Sequence, residues 1–216
     1  MNEERINKIL ELAAKRQGNM TVILENVMDY HNLGAVMRSC DAVGCFEIFV
    51  VFTVPSKQKN DLRLGKKTAA GSRKWLKVNY FTDLKTCFEM VRSRYQKIWC
   101  TALEADAESI YDKDFTESFA ILFGNEKDGV SKEAMALCDG NILIPQVGMA
   151  QSLNISVACA VTMYEAYRQR FIKGFYGENN PNDATTKQII LETYMERNKQ
   201  KDRVRSVPVI KNNYDK

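Results

Sequence analysis

The chain has 216 residues, 45% of them hydrophobic and 27% charged, with a formal net charge of +4. That composition is the one a soluble globular domain carries, and the length suffices to bury a real core. No apolar run approaches the roughly 18–20 residues that cross a bilayer. The start, Met1 to Arg5, is charged and then amphipathic, so a signal peptide, anchor or spanning helix is not expected and the protein is expected in the cytoplasm.

Ile6, Ile9, Leu10, Ala13 and Ala14 recur at helical spacing and predict a helix over 3–17 that ends at Gln17-Gly18. Residues 21–24 read as a strand. The next helix is predicted to start near Asn32, with Leu33, Val36, Met37 and Cys40 on its apolar side, and to stop before Gly44. Residues 45–52 are almost continuously apolar, as in a strand covered on both faces. A loop rich in Lys and Arg follows over 55–74, long enough to be functional or mobile.

Residues 75–80 read as a strand, 83–95 as a helix and 97–103 as a strand again. A strand over 119–123 leads into a helix over 131–138 with Ser131 as its N-cap. The last strand is predicted at 141–144. A helix from about residue 152 to 172 is expected to bury Ile155, Val157, Ala158, Val161, Met163, Tyr164 and Tyr167. Past Gly174 the pattern thins, leaving one helix over 185–198 and a loose tail over 201–216. Alternating strands and helices predict an α/β fold with a mostly parallel sheet and helices on both faces. One main domain over 19–173 is expected, between helical extensions over 1–18 and 174–216.

The six cysteines form no C-x-x-C pair and mostly sit in apolar stretches, so they read as buried free thiols. With His31 as the only histidine, no metal site is expected. Basic residues cluster early, over 57–77, over 168–173 and over 197–203, which makes a polyanionic partner plausible because neutralising phosphates releases condensed counterions.

The chemistry concentrates in two loops. The strand over 119–123 delivers Gly124-Asn125-Glu126-Lys127-Asp128-Gly129, and Ile144-Pro145 leads to Gln151-Ser152-Leu153-Asn154 at the start of the long helix. Two such loops on neighbouring strand ends present backbone N–H and C=O groups in a rigid frame. That suits a small polar ligand with an adenine end and an amino-acid end. The first strand is not followed by G-x-G-x-x-G, which argues against a dinucleotide-dependent oxidoreductase.

These residues carry a resemblance. Residues 32–44, beginning Asn32-Leu33-Gly34-Ala35-Val36-Met37-Arg38, are similar to motif 1 of the SPOUT class of RNA methyltransferases. Residues 124–131 resemble motif 2, and 144–170, with Gly148-Met149 and Ser152-Leu153-Asn154, resemble motif 3. Within the class the sequence is most similar to the tRNA (guanosine-18) 2'-O-methyltransferases, on Glu126-Lys127, the stretch 148–152 and the short flanking extensions. Gln146 and Ala150 depart from the subgroup's pattern.

The resemblance implies a C-terminal trefoil knot, an exception to the rule against threaded chains. It implies S-adenosylmethionine bent in the knot, a homodimer that completes each active site, and methyl transfer to the ribose 2'-OH of a guanosine in the tRNA D-loop. The alternatives are a 2'-O-methyltransferase of ribosomal RNA or of another tRNA position, and a catalytically silent RNA-binding knot protein.

Carried over residue by residue, Arg38 is the first catalytic candidate. An arginine is a poor base, so two roles stand: proton acceptor assisted by an RNA phosphate, or cation that orients the nucleotide and stabilises the developing alkoxide. A phosphate nearby raises an arginine's pKa, which favours the second. Asn32 caps its helix on a local reading and positions Arg38 on the family's. Glu126 assembles the site, Asn154 supports Arg38 and Ser152 shapes the target pocket, with helix capping the local alternative for the last two. Thr101, Leu103, Gly124, Ile144, Met149 and Leu153 are the implied cofactor-lining positions. Arg5, Lys8, Arg16, Arg168 and Arg170 are the expected phosphate contacts.

Overall fold

β-Branched and aromatic runs form the strands at the centre of the molecule, because a sheet covered on both faces needs apolar side chains in both directions. The computed structural model describes residues 3–64, 71–102, 106–199 and 205–211. In chain order these hold α1 (Glu3–Lys15), β1 (Met20–Glu25), α2 (Tyr30–Ala42), β2 (Glu47–Val51), β3 (Asp61–Arg63), β4 (Lys77–Phe81), α3 (Leu84–Arg92) and β5 (Lys97–Thr101). Then come β6 (Glu108–Ser109), β7 (Phe119–Phe123), α4 (Lys132–Met135), β8 (Gly140–Leu143), α5 (Ile155–Ile172), α6 (Ala184–Lys199) and β9 (Ser206–Pro208).

Seven strands form one sheet in the order β4-β2-β1-β7-β5-β8-β6. Every pairing in it is parallel, with Val22 opposite Ile121 and Ile23 opposite Phe49. This is the mostly parallel α/β sheet expected from the alternation of elements. The chain leaves β1 toward β2 and β4, and its later strands build outward from β7 on the other side. Loops at the carboxyl ends of β1 and β7 therefore open a crevice, the usual place for a ligand in such sheets.

Helices cover both faces. Leu33, Val36, Met37 and Cys40 of α2 share one core with Ile155, Cys159, Met163 and Ala166 of α5. Leu84, Cys87, Phe88 and Val91 of α3 and Ala134 of α4 share the other. Each Leu, Val, Ile, Met or Phe among them contributes about 1.5–3 kcal/mol when fully buried. α1 and α6 meet through Ile9, Ala13, Ile190 and Tyr194, together with Phe46. Cys40, Cys45, Cys87, Cys100 and Cys159 are buried free thiols. Among the described residues no helix is long and apolar enough to cross a membrane.

Several local expectations are corrected. Helix α2 starts at Tyr30, and its cap is Asp29, whose carboxylate accepts from His31 N at 2.7 Å. Asn32 is therefore already inside the first turn, which frees its side chain for other work. In α5, Val157 and Tyr164 are 46% and 51% exposed. Apolar residues circle that helix, and its neighbours cover only one face. The segment before β4 is a 3-10 turn at Ser72–Lys74. β8 is not the last strand: β9, in the segment expected to be loose, pairs antiparallel with β3, Leu62 opposite Val207. The segment goes on to β4, where Ile210 N donates to Tyr80 O at 2.7 Å.

Candidate active site

Three loops meet at the carboxyl edge of the sheet, and each is shaped by local chemistry. After β7 the chain runs through Gly124, where an added Cβ would lie 2.0 Å from the backbone C and O of Gly129. Only glycine permits that approach. Asn125 Oδ1 accepts from Lys127 N and Asp128 N, both at 2.8 Å, and Gly129 (φ +68°) turns the chain back, its N–H donating to Asn125 O at 3.0 Å. Ser131 then caps α4 by accepting from Ala134 N, as expected. Its own N–H donates to the buried carboxylate of Glu25 at 2.9 Å, which ties the loop to the end of β1.

Asn154 caps α5, its Oδ1 accepting from Ser156 N at 2.9 Å. With that oxygen committed to the helix, its Nδ2 donates to Asn32 Oδ1 at 3.1 Å. Asn32 in turn donates its Nδ2 to Glu126 Oε1. The order of donors leaves one consistent orientation for both amides. Three of the five expected catalytic residues are thus one hydrogen-bonded chain across α2, the β7–α4 loop and the start of α5.

Beside this chain lies a cavity of about 630 Å³, within the usual range of about 300–1,000 Å³ for small-ligand sites. Thr101, Gly124, Ile144 and Leu153 of the expected cofactor positions line it, as do Glu126, Ser152 and Asn154. Thr101 is oriented by its hydroxyl, which donates to Leu122 O at 3.1 Å. Met149 is fully exposed and not part of the lining, because its loop stands away from the sheet. Leu103 lies outside the described residues. The lining also includes Asn125, Asp128, Gln146 and Gln151, to which the sequence alone assigns no catalytic or cofactor role. Gln146 holds its loop by donating to Gln151 O at 3.4 Å; the signal for it was its departure from the subgroup's pattern. Among the described residues, no group of three His, Cys, Asp or Glu side chains could hold a metal.

Arg38 is exposed on α2, makes no hydrogen bond or ion pair among the described residues, and does not line the cavity. Six residues past Asn32, it points about 120° around the helix from it.

The expected phosphate contacts divide. Arg5 and Lys8 are exposed on α1, Arg5 Nε donating to Asn198 Oδ1 at 2.7 Å. Arg168 is exposed and shared with Glu165 through bonds of 2.9 and 2.7 Å. Arg16 and Arg170 are corrected: they are 1% and 0% exposed and cannot reach an RNA phosphate. Arg16 pairs with Asp41 and donates to Asp41 O and Cys45 O. Arg170 donates to Phe115 O, Glu117 O and Asn19 Oδ1 at 2.8, 2.6 and 2.6 Å. Burial draws its guanidinium down to about 10, still a cation at neutral pH. Both are structural ties between chain segments, since a buried charge persists when it is ion-paired or hydrogen-bonded.

Residues 19–164 match the SpoU rRNA Methylase family. A Thermus thermophilus relative named tRNA (guanosine(18)-2'-O)-methyltransferase is 44% identical over 174 residues, 81% of this chain and 87% of that protein. The A. aeolicus TrmH/SpoU tRNA modifying enzyme, a solved structure, matches with a TM-score of 0.79 at 32% identity, covering 92% of this chain and 98% of that one. The SpoU methyltransferase AviRb from Streptomyces viridochromogenes, solved in complex with the cofactor AdoMet, matches with a TM-score of 0.62 at 27% identity, covering 72% and 59%.

Proposed function

Because the chain belongs to the SpoU rRNA methylase family, we infer that it transfers a methyl group from S-adenosylmethionine to the ribose 2'-OH of a guanosine in tRNA, guanosine-18 of the D-loop. The observation that carries this reading is the chain Glu126–Asn32–Asn154 set against a ligand-sized cavity. The enzyme is a protein of the cytoplasm, with its main domain over 19–173 and its flanking helices as accessory segments.

The cavity fits the cofactor in kind. Ile142, Ile144, Leu153 and Val130 offer apolar walls for an adenine, while the Gly124–Gly129 turn offers polar groups for the amino-acid end. Thr101, Gly124, Ile144 and Leu153 would hold it. When bound, it supplies a methyl group activated by the adjacent sulfonium. The position of β8 between β5 and β6, although it follows both in the chain, supports the expected trefoil knot.

The chain's own residues then orient the acceptor. The Asn32 amide, held from both sides, fixes the Glu126 carboxylate at the cavity edge, and Ser152 shapes the pocket for the target nucleotide. Arg38 acts as a cation that orients the ribose and stabilises the developing alkoxide. The active unit is a homodimer, in which Arg38 completes the partner's site. Two facts support this: Arg38 stands outside the cavity of its own chain, and Val157, Tyr164 and Phe171 form an exposed apolar stripe at seven-residue spacing along α5. Such a stripe marks an interface. Arg5, Lys8 and Arg168 contribute phosphate contacts.

Transfer of labelled methyl from S-adenosylmethionine to total tRNA and, separately, to ribosomal RNA tests the reading, with the modified nucleoside mapped. The expected product is 2'-O-methylguanosine at the D-loop position. Label in ribosomal RNA alone would overturn the substrate, and no transfer with the cofactor bound would favour a silent RNA-binding protein.

A further inference from the structure

A second cavity, of about 720 Å³, opens at the same edge of the sheet and is lined by Tyr30, Lys59, Asp61, Arg63, Arg73 and Arg205, among others. It exists because β9 pairs with β3: Leu64 N donates to Arg205 O at 2.9 Å, which sets the C-terminal segment against the basic segment before β4. Four cations thus face one carboxylate, and among the described residues none of the five takes part in an ion pair.

Arg73 makes the arrangement unusual. It is 4% exposed, and its one protein partner among the described residues is Leu64 O, which accepts from its Nη1 at 2.8 Å. Its Nε is buried and has no partner among the described residues. Arg16 Nε also lacks a partner, but the charge of Arg16 is met by Asp41, and Arg170 is held by backbone and amide oxygens; Arg73 has no carboxylate partner among the described residues. A buried guanidinium short of acceptors, in a cavity rimmed by further cations, fits an anion with several oxygens.

We propose that this cavity is a binding site for a backbone phosphate of the substrate RNA, with the Tyr30 ring as the wall for the attached nucleoside. Tyr30 opens α2 two residues before Asn32, so this wall of the cavity lies about half a helical turn, about 3 Å of rise, from the catalytic chain. That separation suits a nucleotide flanking the target ribose, and an aromatic ring beside cations is the usual platform for an unpaired base. The assignment deepens the tRNA reading and rests on it. The site also gives the segment 205–211 a role in recognition.

The test is binding of an unmodified tRNA transcript to the full chain over a range of salt concentrations. Arg63→Ala and Arg205→Ala are each expected to weaken binding about five-fold and to lower the salt slope by about one, as loss of a phosphate contact does. Lys97→Ala, an exposed cation at the start of β5, removes the same charge at the opposite edge and is expected to have no such effect. S-adenosylmethionine affinity and the thermal midpoint should not change. Equal weakening by Lys97→Ala, or unchanged affinity and slope in both arginine variants, would overturn the site. Loss of inorganic phosphate binding with unchanged transcript affinity would give the cavity to a free anion and overturn it as well. Because the readout is binding, it separates from the methylation assay. A wild type that methylates tRNA, with variants that bind normally, would sink the site and leave the function standing.

Discussion

Asn154 Nδ2 donates to Asn32 Oδ1 at 3.1 Å, joining residues 122 positions apart in the chain. The same Asn154 caps α5 with its oxygen. One side chain therefore sets where a helix starts and, through its other end, aims the amide that holds Glu126.

The two ends of Asn154 can be separated. Asn154→Asp keeps an oxygen for Ser156 N but loses the donor to Asn32 and places a second carboxylate near Glu126. Its thermal midpoint is expected to stay close to wild type while kcat for methyl transfer falls at least about ten-fold, the cost of a mispositioned site. Asn154→Ala loses the cap as well, about 1 kcal/mol of stability, and its midpoint should drop. Unchanged kcat in the aspartate variant would remove the assigned role.

Gly124→Ala places a methyl group 2.0 Å from the Gly129 carbonyl. The β7–α4 turn must open, at about 1–3 kcal/mol for the overpacking. Calorimetry should read S-adenosylmethionine affinity at least about ten-fold lower, since about 1.4 kcal/mol corresponds to that factor. Wild-type affinity would mean that this turn does not bear on the cavity.

Arg38 is exposed and bears no structural tie among the described residues, so Arg38→Ala should fold normally and bind the cofactor normally. Its kcat is expected to fall about 10²–10³-fold, as when one donor to a developing oxyanion is removed. Unaltered methylation would end the role proposed for it.

A charge on the exposed α5 stripe tests the dimer. Tyr164→Asp should leave a folded monomer in sedimentation, because that side chain is 51% exposed in the single chain, and methyl transfer should fall with the dimer. A dimeric variant would move the interface elsewhere.

Glu47 gives a pH signature. Its burial opposes ionisation, but Arg94 and Lys77, with hydrogen bonds from Arg94 and Asn79, outweigh this and hold the carboxyl below its usual value. A lowered native pKa stabilises fully above the unfolded value of about 4.3, and that stability is lost as pH falls through the native value. The thermal midpoint gap between wild type and Glu47→Gln should hold between about pH 7 and pH 5 and shrink below about pH 4. A gap of constant size down to acid would assign the loss to packing.

Element types and most of the site's members were legible because their signals are local. Continuous apolar runs marked β1, β7 and α5, helical spacing marked α2, and Ser131 and Asn154 stand where capping chemistry puts such residues. The motif residues named Asn32, Glu126 and Asn154 as partners without saying which atom meets which. Arg16 and Arg170 looked like any surface arginine in a basic cluster. Only the contact of Arg16 with the end of α2, and of Arg170 with the segment before β7, shows them to be buried ties, since burial depends on neighbours distant in sequence. The short stretch Ser206–Pro208 has too few residues to announce a strand, and its pairing with β3 exists because the chain returns there. Periodicity and turn chemistry act over a few residues and so are written in the order of the chain. The Asn32 bridge, the buried arginines and the cavity beside Tyr30 arise from contacts between segments that only the folded sheet brings together.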